Sequence, residues 1–403
     1  MTQSDQQAKK VAFTTTLGAA LVAATTQVGP GFTTQSALFS AQYLGAFFLC
    51  IIAALALDII TQANVYRILC FTRKRGQEVA AAIHPVVGYL LTAIVVFGIC
   101  VFQFSNVSGT GLGMSALFGT STAVSTVLCG LIAMAVFLSR SANKIINILA
   151  QVLGAVLILT ALILVFMAKP PVGEIPSQIA GADVSSLLLP TITILGSVCG
   201  GYGAYIGSHR LLDSGVSGAE NYYLYKRTQL LGTTTVYVLR VLLVLVTFGA
   251  VMHGATIDMA NPAPSSYQAV AGMFGYRLYG AVILAAGTTT ILGAAAIFLS
   301  FTKTHFKWIA AHERQSAILF IGICTVVDVF LGQPVNLLVA AGSINSLVLP
   351  FTMLVMLIAS HSKRIMGEDY RHPVWMTVGA AVVFVAAAYL STKNIPNLIA
   401  LFQ

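Results

Sequence analysis

LVAATTQVGPGFTTQSALF, residues 21–39, has the character of a membrane helix but carries Gly29-Pro30-Gly31 at its centre. Proline removes a backbone donor and glycine loosens the chain, so a helix is expected to break there. A second interruption, Gly200-Gly201-Tyr202-Gly203, lies within TITILGSVCGGYGAYIG, residues 191–207. In lipid, each freed backbone group costs several kcal/mol unless it is paired, so such breaks are confined to cavities. Paired breaks at corresponding places in two halves of a chain point to the substrate site of a secondary transporter. The expectation is two helices unwound at 29–31 and about 200–203, meeting near the midplane.

Composition agrees. Only 8% of the 403 residues are charged and 57% are hydrophobic, with a mean hydropathy of +0.88. Many stretches reach the roughly 18 apolar residues that cross a bilayer. The net charge of +9 sits in short clusters without interleaved aromatics, which reads as membrane topology and not as nucleic-acid binding. The polar start MTQSDQQAKK shows no cleavage pattern, so no removed signal peptide is expected. The six cysteines lie in or beside apolar spans without CxxC pairing and read as small buried hydrophobes. No HExxH, paired carboxylates or Ser-His-Asp set argues for an enzyme, and no cofactor is implied.

Eleven spans are expected: 11–42 (broken), 44–70, 85–118, 121–138, 145–168, 186–212 (broken), 228–252, 277–302, 315–331, 335–360 and 373–391. With the N-terminus cytoplasmic, nearly all Lys and Arg fall inside, from Lys9 and Lys10 through Arg73, Lys74, Arg75 and Arg140 to Arg371. Only Lys169, Arg277 and Lys393 fall outside, and Arg240 lies within a span. That asymmetry orients the chain N-in and C-out in the plasma (inner) membrane. The fold expected is all-α and integral to the bilayer, a single transporter domain over 1–403. Residues 11–168 and 186–360 form two five-helix units, the second inverted relative to the first, and 373–391 is an extra helix.

The first break, SGTGLGMSALFG ending the third span, LAAGTTTILGAAAIFLS in the eighth and NSLVLPF in the tenth together resemble the NRAMP family of divalent metal transporters. The resemblance runs along nearly the whole chain and implies the 5+5 inverted-repeat fold shared with LeuT, with helices one and six broken. It also implies a metal site of Asp, Asn, Met and Gln. Here those positions hold Gly29, Phe32, Gly200 (followed by Gly201 and Tyr202) and Gly342, and the proton-relay carboxylates of the third span align with Gln103 and Asn106. The scaffold is kept and the metal ligands are not.

Glycine at these positions is expected to widen the cavity, with two half-helix N-termini facing it. Substrate contacts are expected from Gly29, Gly31, Phe32, Thr33, Gly200, Gly201, Tyr202 and Gly342. A small, amino-acid-like organic anion suits that set, coupled to Na+ or H+; the alternative is a divalent cation (manganese, iron or magnesium). Thr26, Thr289 and Thr290 are candidates for a coupling ion, with back-bonding as the competing role for the threonines. Asp58, Arg240 and Asp328 are charges within spans. Arg240 needs a counter-charge from Asp58, Asp328 or the substrate, and Asp213 is a gate partner for His209 or Arg210.

Overall fold

The computed structural model describes residues 16–139, 142–331 and 334–400. Among them the regular elements are all helical, with no strand. The first apolar segment is two helices, α1 (16–27) and α2 (Pro30–Tyr43). They are followed by α3 (Phe47–Thr72), α4 (Gly76–Ile83), α5 (Pro85–Phe118), α6 (Thr122–Leu138), α7 (Ala142–Ala168) and α8 (Ile175–Ala180). The second broken segment is α9 (Leu188–Val198) and α10 (Ile206–Asp213). Then come α11 (Tyr222–Met252), α12 (Pro262–Thr302), α13 (Lys307–Ala311), α14 (Glu313–Leu331), α15 (Pro334–Ser346), α16 (Val348–His361), α17 (Lys363–Met366) and α18 (Val374–Ala400).

Every stretch expected to span holds a helix, but length and apolarity do not by themselves establish eleven spans. Among the described residues seven helical runs pass on both counts, one of them (Pro30–Thr72) running through α2 and α3, and the bent pair α9–α10 makes an eighth; α6 is apolar but shorter. Residues 11–15, Lys9, Lys10 and Arg140 lie outside the described residues. The eighth segment begins earlier than 277, because α12 is two helices joined at Ala271 and Gly272, where Gly272 has φ 60° and ψ −150°. The tenth segment also has a seam, at Leu347 between α15 and α16.

The polarity of the fold is inside out. Phe97, Ile163, Phe166, Phe330 and Val385 point outward, while Gln35, Asp58, Gln62, Gln103, Arg240 and Asn345 are buried. Lipid accepts apolar surface without penalty, so polar side chains move to the interior where partners can be found. Close glycine contacts set the core. A Cβ on Gly109 would strike the Pro30 ring, one on Gly111 would strike Thr126, and one on Gly113 would come within 2.9 Å of Leu284 N. The SGTGLG run is therefore the face on which α5 meets α2, α6 and α12.

Candidate functional site

The first break is tighter than expected. The α1 ladder ends with Val28 N–H donating to the Ala24 carbonyl at 3.0 Å, and Thr33 N–H donates to the Gly29 carbonyl at 3.2 Å. Only Val28 and Gly29 are non-helical. Pro30 is the first residue of α2, where a missing N–H is harmless, and Gly31 is helical. The second break is longer. Cys199 to Tyr202 form turns and Gly203–Tyr205 a single 3-10 turn, with α9 and α10 bent by 42°. Gly201 takes φ +55°, a left-handed value that glycine adopts without strain. The breaks touch: Gln27 Nε2 donates to the Gly203 carbonyl at 3.2 Å.

Around them lies a buried polar cluster. Arg240 of α11 is wholly buried, with its guanidinium carbon 3.9 Å from the centre of the Phe32 ring. Its Nη2 donates to Ser197 Oγ at 3.0 Å, while Nε and Nη1 have no partner. The expected ion pair is absent: Arg240 pairs with neither Asp58 nor Asp328, and the ion pairs among the described residues lie elsewhere. Asp58 Oδ1 accepts from Gln62 Nε2 at 2.8 Å, and its Oδ2 is unpartnered. The Cys199 thiol is beside it, which brings Asp58 to the second break. Asp328 belongs to another contact, against Ser108 of α5.

The glycines at the aligned positions do not leave the open space expected of them. A Cβ on Gly342 would lie 2.7 Å from both Gln35 Nε2 and the Thr193 carbonyl. Gln35 donates from α2 to the Leu338 carbonyl at 2.8 Å and fills that space instead. A Cβ on Gly200 would lie 2.5 Å from the Gly196 carbonyl and 2.6 Å from that of Asn345, and one on Gly201 would strike Asn345 Oδ1. These residues let α9 approach α15, because α-helices meet closely in membranes where side chains are smallest. Tyr202 packs edge-on to Phe102 with centroids 5.5 Å apart.

Thr290 stands beside the first break. A Cβ on Gly29 would come 2.9 Å from its Oγ1 and 3.2 Å from Asn106 Oδ1. The Thr289 and Thr290 hydroxyls both donate to the Ala286 carbonyl, at 2.7 and 2.8 Å, and Thr290 also lies 3.4 Å from the Thr25 carbonyl. Thr26 faces Gly293, about a turn further along. The Thr33 hydroxyl donates to the Pro30 carbonyl at 2.9 Å. Gln103 Nε2 reaches the Ile291 carbonyl at 3.3 Å, so this amide ties α5 to α12.

From Thr26 a narrow cleft lined by Val22, Ile206, His209, Asp213 and Ser300 runs to the end of α10. Arg75 bonds two residues of its lining, Asp213 and Ser300. Asp213 thus pairs with Arg75, and Arg210 with Asn147. His209 accepts from Gly76 N–H at 3.1 Å and meets Ser300 Oγ at 2.9 Å. Sequence reasoning missed Gln27, Gln35, Ser197, Asn345 and Arg75. Four are polar residues inside apolar spans, a signal that was present but not distinctive.

A bundle with two broken helices in contact and a buried polar cluster between them is a membrane transporter architecture. The Natural resistance-associated macrophage protein-like family model matches residues 20–395, and the chain belongs to that family, whose members are transporters and not enzymes. It is 36% identical over 386 residues to the uncharacterized membrane protein YcsG of Bacillus subtilis, covering 95% of each chain. An uncharacterized membrane protein of Haemophilus influenzae is also 36% identical, over 392 residues, covering 96% of this chain and 97% of that one. The fold is shared with the manganese transporter of Eremococcus coleocola, solved with an aromatic bis-isothiourea substituted compound (TM-score 0.78, 16% identity, 100% of this chain and 89% of that one). It is shared too with MhsT, solved with L-phenylalanine (TM-score 0.64, 15% identity, 93% and 97%).

Proposed function

We propose that the protein is a secondary active transporter that moves a small solute by alternating access, with the solute bound between the α1–α2 and α9–α10 breaks. The observation that carries this is the contact of the two breaks through Gln27 and Gly203, at the heart of a family of transporters. Eleven spans in two inverted units, N-in and C-out in the plasma membrane, belong to the same proposal, as does coupling to Na+ or H+ near Thr26, Thr289 and Thr290.

Family membership, with the fold likeness to a manganese transporter, supports a divalent metal cation as the solute better than the organic anion favoured from sequence. The unpartnered amide oxygens of Gln27 and Gln35 are neutral donors that a hydrated, hard cation would meet beside the first break. Among the described residues no group of three His, Cys, Asp or Glu forms a metal site, so such a cation would keep much of its water.

One observation favours a small organic anion instead: the buried Arg240 between the breaks, which forms no ion pair with a described residue and has two N–H groups without an acceptor. Thermal-shift titration of the purified protein separates the readings, since a ligand that binds only the folded state stabilises it. Saturable stabilisation by manganese or magnesium, weakened in Gln27→Ala, supports the cation. Stabilisation by carboxylates alone supports the anion. Uptake into proteoliposomes then tests transport itself, and its absence for every stabilising ligand would remove the transporter reading.

A further inference from the structure

Arg240 is the largest fully buried side chain among the described residues. It carries a full positive charge, since an arginine side chain keeps its proton in proteins. Ordinarily a buried guanidinium is neutralised by a carboxylate and has its N–H groups filled, because an isolated buried charge is among the costliest features of a fold. This one has a single hydroxyl partner, Ser197, whose own proton goes to the Ile194 carbonyl at 2.8 Å. Nε and Nη1 point at no acceptor. The nearby acid, Asp58, is turned to Gln62.

Three elements place this charge. Ser197 is two residues before the second break begins. Phe32, whose ring covers one guanidinium face, lies in the first turn of α2, where helix geometry gives the Gly31 and Phe32 N–H groups no intrahelical acceptor. A fourteen-residue helix N-terminus and a charged side chain with two empty donors therefore converge between the breaks. Among the described residues no carboxylate forms an ion pair with Arg240; Asp58, whose charge reaches it, is hydrogen-bonded to Gln62 instead.

We propose that Arg240 is the counter-charge of an anion subsite between the two breaks and that its ligand is a small carboxylate. The proposal rests on the organic-anion reading above. The planar guanidinium matches a carboxylate, two N–H groups to two oxygens, better than it matches a spherical ion such as chloride. Phe32 offers an apolar wall for the ligand's carbon atoms. A second negative charge would have no partner near Arg240, so monocarboxylates are favoured over dicarboxylates.

The test uses the full-length protein in detergent, titrated with acetate, L-lactate, L-alanine and succinate, and with sodium chloride and manganese chloride as separate arms. The wild type is expected to be stabilised saturably by at least one monocarboxylate and not by chloride at equal concentration. Arg240→Gln should weaken that ligand by about a hundredfold, and Arg240→Lys by less. Ser197→Asp retains Arg240 but supplies an internal counter-charge. It should raise the melting temperature and abolish carboxylate binding, which keeps the proposal open to refutation if Arg240→Gln does not fold. Carboxylate binding unchanged in Ser197→Asp or Arg240→Gln would overturn the assignment of Arg240 while leaving the anion reading intact. Stabilisation of the wild type by manganese or chloride and by no carboxylate would overturn both.

Discussion

Gln27 closes α1 and donates to the Gly203 carbonyl, 176 residues away, at 3.2 Å. The bond joins one helix break to the other and uses a carbonyl released by the second. Gln27→Ala leaves that buried carbonyl without its donor, at a cost of about 1–3 kcal/mol. The expected outcome is a melting temperature lower by several degrees and solute affinity changed in the same variant. Gln27→Glu separates the effects, since an added carboxylate should raise metal affinity and lower carboxylate affinity.

Gly29→Asp discriminates between the two solute classes at the aligned metal position. Gly29→Asn is the steric control, because any Cβ there presses on Thr290 and Asn106. At about 4 Å and an effective dielectric near 20, a new carboxylate repels a bound one by about 4 kcal/mol, close to a thousandfold in affinity. Carboxylate binding should therefore fall in Asp relative to Asn. If the solute is a dication the order reverses, and titration of the two variants side by side reads the sign.

The glycines are expected to divide by their neighbours. Gly200→Ala sets a methyl group within 2.6 Å of two backbone carbonyls that belong to packed helices, and Gly342→Ala sets one 2.7 Å from the Thr193 carbonyl. Each should destabilise by about 1–3 kcal/mol. Gly18→Ala meets nothing within 4 Å and lies in α1, so it should stabilise by about 0.5–1 kcal/mol. Thermal melts of the three variants test the division.

Asp213→Asn removes one anchor of the clamp that Arg75 makes with Asp213 and Ser300. The pair is partly exposed, so its loss is worth at most about 1 kcal/mol, or roughly a fivefold shift toward an open cleft. A cysteine at position 26, where Thr26 lines that cleft, should then react with a polar thiol reagent a few times faster than in the parent.

Outside the spans, His372 titrates at about 4, below its ordinary 6.5, through burial first and then the nearby Arg67 and His361 charges. The fold holds it neutral between the Tyr370 hydroxyl at 2.7 Å and Asn64 Oδ1 at 2.9 Å. A depressed histidine means that the unfolded chain binds more protons between pH 4 and 6.5, so stability is complete above 6.5 and is lost as pH falls toward 4. Because the side chain is only half buried, the loss should be about 1 kcal/mol and no more. His372→Gln should flatten the melting temperature over that pH range.

The sequence by itself determined the environment and the breaks. Apolar length over many stretches leaves lipid as the solvent, and a chain in lipid forms helices because every backbone group needs an internal partner. Gly29-Pro30 and Gly200-Gly201 marked where those helices break, because proline lacks a donor and glycine loosens the backbone. Tertiary structure alone decided what the interruptions enclose. Whether Gly342 opened a cavity depended on Gln35, a residue 307 positions earlier in the chain that folds into the same space. Whether Arg240 found Asp58 depended on where Gln62 turned that carboxylate. Patterns of period and breakage act along the chain and are visible in one dimension. Counter-charges and packing are contacts between distant segments, and nothing local in the sequence fixes them.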